Sequence, residues 1–111
     1  MFQVETKNDI LIMSLTQSSV TMYDNEQFKK AFNEVLDKGV KKMVLDMSRT
    51  DFISSLVIAS LIYVLKQMNS RGGELKICGL KEKVKEVFEM TNLDKIFAIY
   101  DTKENALASF V

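Results

Sequence analysis

Two neighbouring serines, Ser54 and Ser55, are the strongest candidates for chemistry in this sequence. They stand directly before the apolar run from Leu56 to Leu65, where the pattern predicts the start of a helix. A serine at that place commonly caps the helix, because its hydroxyl accepts a hydrogen bond from a free backbone N–H. The same place suits a phosphoryl group, because the positive end of the helix dipole favours negative charge. The residues alone leave both interpretations open.

Carboxylates and the single thiol offer weaker sites. Asp46 and Asp51 could act as paired carboxylates, but their positions favour a strand-end cap for Asp46 and a turn for Asp51. The absence of His removes the commonest general base and the commonest nitrogen ligand of metals. Cys78 has no second cysteine to pair with and lies in an apolar segment, which predicts a small core residue. We therefore expect no enzymatic activity, no metal and no cofactor.

Hydrophobic periodicity predicts the elements that would position the serines. Residues 2–7 alternate between apolar and polar side chains, and Asn8-Asp9 turns the chain into the segment Ile10–Leu15, which predicts a hairpin. A helical stripe follows, with Asp24 as its N-cap, Gln27 in capping-box spacing and Gly39 as its end. The stripe consists of Phe28, Ala31, Phe32, Val35 and Leu36.

The second half of the chain alternates between strands and helices. The run Met43–Met47 predicts a strand buried on both faces, and the second helix is expected from Ser54-Ser55 to about Ser70, ended by Gly72-Gly73. Further elements are a strand at 74–78, a helix between 81 and 91, a strand at 96–100 and a helix capped by Thr102. The order β-β-α-β-α-β-α-β-α predicts an α/β fold with a mixed, largely parallel sheet and about four helices.

Composition limits the classes of function. With 111 residues, 47% of them hydrophobic, residues 1–111 are expected to form a single domain. Lys and Arg total 15 and Asp and Glu total 15, without a basic segment, so we expect no nucleic acid partner. The run from Leu56 to Leu65 is about half of the ~20 residues that span a bilayer, so no membrane insertion is expected. The N-terminus lacks the features of a secretory signal, which predicts a cytoplasmic protein.

Three stretches of the chain resemble one protein family. Residues 43–56 (MVLDMSRTDFISSL) are similar to the central motif of anti-sigma factor antagonists in the STAS-domain family: an apolar strand, an Asp, a short loop with an aromatic residue, and then Asp-Ser at a helix start. The similarity continues through residues 71–77 and through residues 87–97, which resemble the third helix and last strand of the family. It extends over roughly Ile10 to Phe110, and the family's fold agrees with the element order above.

The resemblance implies partner switching. The unmodified antagonist would bind an anti-sigma factor that is also a serine kinase, phosphorylation would break the complex, and a serine phosphatase would restore it. Ser55 falls on the phosphorylated position, with Ser54 as the alternative, and Asp46 matches the strand-end Asp of the family. Because the second helix has more apolar residues than one core-facing stripe needs, part of it is also expected at the surface. The expected partner-binding residues are Thr21, Asp46, Ser54, Ser55, Leu56, Ile58 and Ala59.

The sequence departs from the family at several of these positions. Thr21 and Ser54 stand where Asp is usual, Ser18 and Val57 stand where Gly is common, and Leu56 replaces a small residue. These departures leave open a small-molecule or lipid-sensing module, or a scaffold subunit that is not phosphorylated. The partner's identity and the choice between monomer and homodimer also remain open.

Overall fold

A computed structural model of the chain describes residues 1–110, and the chain opens with an antiparallel hairpin. Its strands are β1 (Phe2–Lys7) and β2 (Ile10–Leu15). Asn8 and Asp9 have φ angles of 52° and 67°, and positive φ at both central residues is what a two-residue type I′ turn requires. The predicted hairpin is confirmed.

The hairpin joins a largely parallel five-stranded sheet. Its order is β1-β2-β4-β6-β7, with β4 at Lys42–Asp46, β6 at Glu74–Cys78 and β7 at Ala98–Tyr100. All neighbours except β1 and β2 are parallel. Strand β4 lies in the middle, and its Met43, Val44 and Leu45 are fully buried, as predicted. A strand that is covered on both faces carries a continuous apolar run because neither face meets water.

Helices cover both faces of this sheet, and residues 1–110 contain four α-helices. These are α1 (Asn25–Asp37), α2 (Ser55–Ser70), α3 (Glu82–Met90) and α4 (Lys103–Ala108). The larger core, between the sheet and α1, α2 and α3, includes Phe28, Leu61 and Phe88. A smaller core lies between the other face and α4. The predicted α/β class is therefore confirmed.

The predicted helix ends are mostly confirmed. Gly39 and Gly72 have φ angles of 78° and 75°, the left-handed conformation in which glycine commonly ends a helix. The Thr102 hydroxyl accepts a hydrogen bond from the backbone N–H of Asn105 at 3.0 Å, which caps α4. Within residues 1–110, no helix combines the length and apolar character needed to cross a membrane.

Two details of the fold differ from the prediction. The last strand begins at Ala98 rather than Ile96. The two residues before it, Ile96 and Phe97, still belong to the turn that starts with the 3₁₀ helix Leu93–Lys95, because their N–H groups donate to the Leu93 carbonyl at 3.1 and 2.9 Å. The chain also forms a second, two-stranded parallel sheet from β3 (Ser19–Val20) and β5 (Phe52–Ile53), which the sequence did not indicate. Strands of two residues are too short to show a period.

Cys78 is fully buried in the smaller core, as the apolar segment around it predicted. Burial raises the pKa of its thiol to about 12, with a smaller contribution from the negative charge of Asp46. The thiol is therefore neutral at physiological pH, and a neutral thiol is a poor nucleophile.

Candidate functional site

The start of α2 divides two roles between the adjacent serines. Ser54 has extended backbone angles (φ −76°, ψ 160°), and its hydroxyl accepts a hydrogen bond from the backbone N–H of Val57 at 3.3 Å. Ser54 is therefore the N-cap of the helix. Ser55 is the first helical residue, and its side chain is exposed. Its hydroxyl lies at the positive end of a helix of 16 residues.

The small second sheet holds this helix start in place. The Ser54 N–H donates to the Val20 carbonyl at 3.0 Å, directly after the paired strands β3 and β5. The Ser18 carbonyl accepts from the N–H groups of Asp51 and Phe52, at 2.7 and 3.1 Å. These bonds join the segment that follows β2 to the segment that follows β4. Because β2 and β4 are parallel, both segments leave the same edge of the main sheet.

A buried threonine strengthens the same connection. Thr50 is fully buried, and its hydroxyl donates to the Gln17 carbonyl at 2.9 Å. A buried hydroxyl without a partner would be costly, so this bond helps to define how the two segments meet. The segment that leads into the serines, residues 50–54, is thus held by hydrogen bonds to residues 17–20.

The turn before α1 differs from the prediction for Asp24. Asp24 occupies the N-cap position of α1, but its side chain makes no capping bond to that helix, so the proposed capping box with Gln27 is wrong. Its carboxylate instead accepts from the N–H and the hydroxyl of Thr21, at 2.8 and 3.1 Å. Thr21 and Asp24 form a capping box around a 3₁₀ turn at Met22–Asp24. The helical segment therefore begins one turn earlier than the apolar stripe indicated.

Hydrogen bonds from Thr21 also favour the charged form of the Asp24 carboxyl group. The bond from the Thr21 N–H, together with that from its hydroxyl, holds the pKa of Asp24 below its ordinary value. The carboxylate is charged at neutral pH and places a negative charge beside Thr21. The turn contacts α2, and Ser60 of α2 donates a buried hydrogen bond of 2.6 Å to the Asn25 side chain just after the turn.

Exposed apolar side chains lie around the start of α2. Leu56 is 46% exposed and Ala59 is also exposed, whereas Ile58 is half-buried against the larger core. Three more large apolar side chains, which the sequence analysis did not name, are exposed in the structure: Met22, Tyr23 and Phe52. Tyr23 is the most exposed of the three, at 89%. They lie in the 3₁₀ turn and in β5, elements too short for periodicity to reveal. A large aromatic residue in a predicted loop, as at Tyr23 and Phe52, was the available signal.

Asp46 belongs to a different part of the surface. Its Oδ1 accepts from the Ser48 N–H at 2.9 Å, as expected for a strand-end cap. It lines a polar cavity of about 300 Å³ together with Glu5, Arg49 and Lys103, and no residue of α2 lines that cavity. The structure therefore groups Ser54, Ser55, Leu56 and Thr21 near the start of α2 but gives Asp46 separate neighbours.

The other candidate carboxylate forms an ion pair instead of a carboxylate pair. Asp51 lies 3.1 Å from the ammonium group of Lys81, and both side chains are substantially exposed. An exposed pair of this kind contributes at most about 1 kcal/mol. Among residues 1–110, no three His, Cys, Asp or Glu side chains come together in a way that could hold a metal ion.

Comparisons with known proteins define the family. The family model of the STAS domain matches residues 1–106. The "Putative anti-sigma factor antagonist BtrV" of Bordetella bronchiseptica is 36% identical over 104 residues, which span 94% of this chain and 90% of the relative. A "Putative anti-sigma factor antagonist" of Thermotoga maritima is 33% identical over 108 residues, which span 96% of this chain and 95% of the relative. The chain therefore belongs to the STAS-domain family, among its anti-sigma factor antagonists.

Solved structures agree with the fold. The crystal structure of a Thermotoga maritima antagonist superposes with a TM-score of 0.88 at 32% identity, covering 96% of this chain and 92% of the other. The unphosphorylated form of the anti-sigma factor antagonist SpoIIAA has a TM-score of 0.75 at 14% identity, covering 97% of this chain and 94% of the other. At that identity the likeness concerns the fold. Members of this family generally act as regulators rather than as enzymes.

Proposed function

We propose that residues 1–111 act as one cytoplasmic STAS domain that binds an anti-sigma factor with serine kinase activity, and that phosphorylation of Ser55 weakens the complex. A serine phosphatase would restore the binding form. The chain itself would have no enzymatic activity. The proposed partner surface comprises six of the seven residues expected from the sequence, Thr21, Ser54, Ser55, Leu56, Ile58 and Ala59, and the exposed side chains of Met22, Tyr23 and Phe52. Asp46, the seventh expected residue, lines a separate polar cavity and is not part of this surface.

The observation that carries this proposal is an exposed hydroxyl on a firmly anchored helix start, with apolar side chains around it. Ser55 is exposed, while Leu56 next to it and Tyr23 in the neighbouring turn are apolar side chains open to solvent. Exposed apolar patches commonly mark protein contacts. The anti-sigma factor antagonist names of relatives above 30% identity support the choice of partner.

Ser55 suits phosphorylation better than Ser54. The Ser54 hydroxyl is engaged with the Val57 N–H and is half-buried, whereas the Ser55 side chain is exposed. A kinase could reach Ser55 without removing the helix cap. The phosphate would then lie at the positive end of the α2 dipole, which tolerates it. Phosphorylation should therefore leave the domain folded.

The same phosphate should disrupt a protein complex. It adds close to two negative charges at pH 7 to a surface that had packed against a neutral hydroxyl. Removing such a charge from water without a partner costs on the order of several kcal/mol. A loss of about 4 kcal/mol weakens binding roughly a thousandfold, which would turn a micromolar complex into an undetectable one.

The test uses the cognate anti-sigma factor kinase, purified, with ATP. Mass spectrometry should locate the phosphate on Ser55, and calorimetry should detect binding by the wild type and by Ser55→Ala but little binding by Ser55→Glu. Asn69→Glu is the matched control, because it adds the same charge to an exposed position about 21 Å further along the same helix. No binding by the unmodified wild type would overturn the proposal. Phosphate on Ser54 alone would show that Ser54, and not Ser55, is the phosphorylated residue.

A further inference from the structure

A small apolar cleft lies beside the proposed partner surface, between β5 and α3. Phe52 and Ile53 of β5 form one side, and Val84 and Val87 of α3 form the other. Its volume is about 250 Å³. Sites for whole drug-sized ligands usually enclose about 300–1,000 Å³, so this cleft suits a single side chain better than a complete small molecule.

The cleft is continuous with the start of α2. Phe52, which is 52% exposed, directly precedes Ile53 and the Ser54 cap, so a partner that covers Leu56 also comes within reach of the cleft. In the other direction the apolar surface extends along α3. Val87 is half-buried and Met90, one turn later on the same helix face, is 82% exposed.

Two charged side chains line the cleft, Asp51 and Lys83, and of these two only Asp51 is in a salt bridge within residues 1–110. Lys83 lines the cleft, and it takes part in no salt bridge among residues 1–110. The neighbouring Lys81, by contrast, is paired with Asp51 at 3.1 Å. An available ammonium group at the rim of an apolar cleft is complementary to an apolar side chain that has a carboxylate next to it.

We infer that this cleft receives an apolar side chain of the anti-sigma factor, and that a carboxylate next to that side chain pairs with Lys83. The inference rests on the proposed function, because it assigns a second anchor to the same partner. Ser55 then acts as the switch, while the cleft contributes affinity and selects partners by charge.

Three variants of α3 test this assignment against the purified kinase. Lys83→Glu should weaken binding about tenfold at low salt, and the effect should shrink at about 0.5 M NaCl, where exposed charges are screened. Lys85→Glu is the matched control, because Lys85 is exposed on the same helix but does not line the cleft; it should stay within about twofold of the wild type. Val87→Gln should weaken binding about tenfold at either salt concentration.

A spectroscopic measurement gives an independent readout. In a methyl-labelled domain, the kinase should shift the methyl signals of Ile53, Val84 and Val87. If the wild type binds the kinase and these methyl signals do not shift, the partner does not cover the cleft and the inference is overturned.

The remaining outcomes separate the inference from the proposed function. If the wild type binds and Lys83→Glu binds as tightly as Lys85→Glu, the cleft is not an anchor, although the proposed function stands. If Val87→Gln binds like the wild type while its thermal unfolding is unchanged, the apolar part of the inference is wrong. If the wild type does not bind the kinase, both the proposed function and the inference fail.

Discussion

Replacing the two adjacent serines one at a time should separate helix capping from switching. Ser54→Ala removes the hydroxyl that accepts from the Val57 N–H. Loss of an N-cap hydroxyl costs about 0.5–2 kcal/mol of stability. The bond here measures 3.3 Å, which is long for an N–H···O bond. We therefore expect a loss near the lower half of that range, about 1 kcal/mol, or about 4 °C in Tm for a domain of this size.

Ser55→Ala should behave differently. The side chain is exposed on the first turn of α2, and alanine is a better helix former than serine. The free energy of unfolding should therefore stay within about 0.5 kcal/mol of the wild type. The two single variants should therefore have opposite effects. Ser54→Ala should lower the stability and keep the phosphorylation site, whereas Ser55→Ala should keep the stability and remove the site.

Urea denaturation followed by circular dichroism measures the stabilities, and phosphorylation by the kinase measures the site. Ser54→Asp is a useful control, because a carboxylate caps a helix as well as a hydroxyl does and should retain the wild-type stability. If Ser55→Ala lost as much stability as Ser54→Ala, or if Ser54→Ala lost none, the assignment of cap and switch would be refuted.

Two further predictions concern the turn before α1. Ser60→Ala should cost about 1–3 kcal/mol in urea denaturation, because it leaves the buried side-chain oxygen (Oδ1) of Asn25 without the hydroxyl that donates to it at 2.6 Å; a loss below about 0.5 kcal/mol would contradict this. Asp24→Asn should change the pH dependence of stability. Because hydrogen bonds from Thr21 lower the Asp24 pKa in the folded state, its stabilising contribution is present above the ordinary value of 3.8 and is lost as the pH falls through the folded pKa. The stability gap between the wild type and Asp24→Asn should therefore stay constant above about pH 5 and narrow as the pH falls below 3.8, and a gap that stays constant there would refute the assignment.

Long periodic segments made most of the fold predictable. The alternation in residues 2–7, followed by Asn8-Asp9 and the segment Ile10–Leu15, predicted the hairpin, since Asn and Asp tolerate the positive φ angles that the turn needs. The continuous apolar run in β4 predicted a strand covered on both faces. Ser54 as the cap of α2 followed from residue type and position alone.

Short elements were not predictable in the same way. The paired strands β3 and β5 contain two residues each, and they exist because the segments after β2 and β4 leave the same edge of the sheet. The capping box of Thr21 and Asp24 has the right spacing in the sequence, but Asp24 with Gln27 fits the same rule. The structure forms the box of Thr21 with Asp24 and leaves the Asp24 side chain without a capping bond to α1.

The sequence by itself determined the class of fold, the position of the serines at a helix start and the family, because these depend on local residue patterns and on similarity along nearly the whole chain. Tertiary structure decided which side chains share a surface. It packed the turn that contains Tyr23 against α2, and it gave Asp46 a separate polar cavity. It also created the cleft between β5 and α3. Such groupings join residues far apart in the chain through strand pairing and helix packing, and no local pattern encodes the distances between them.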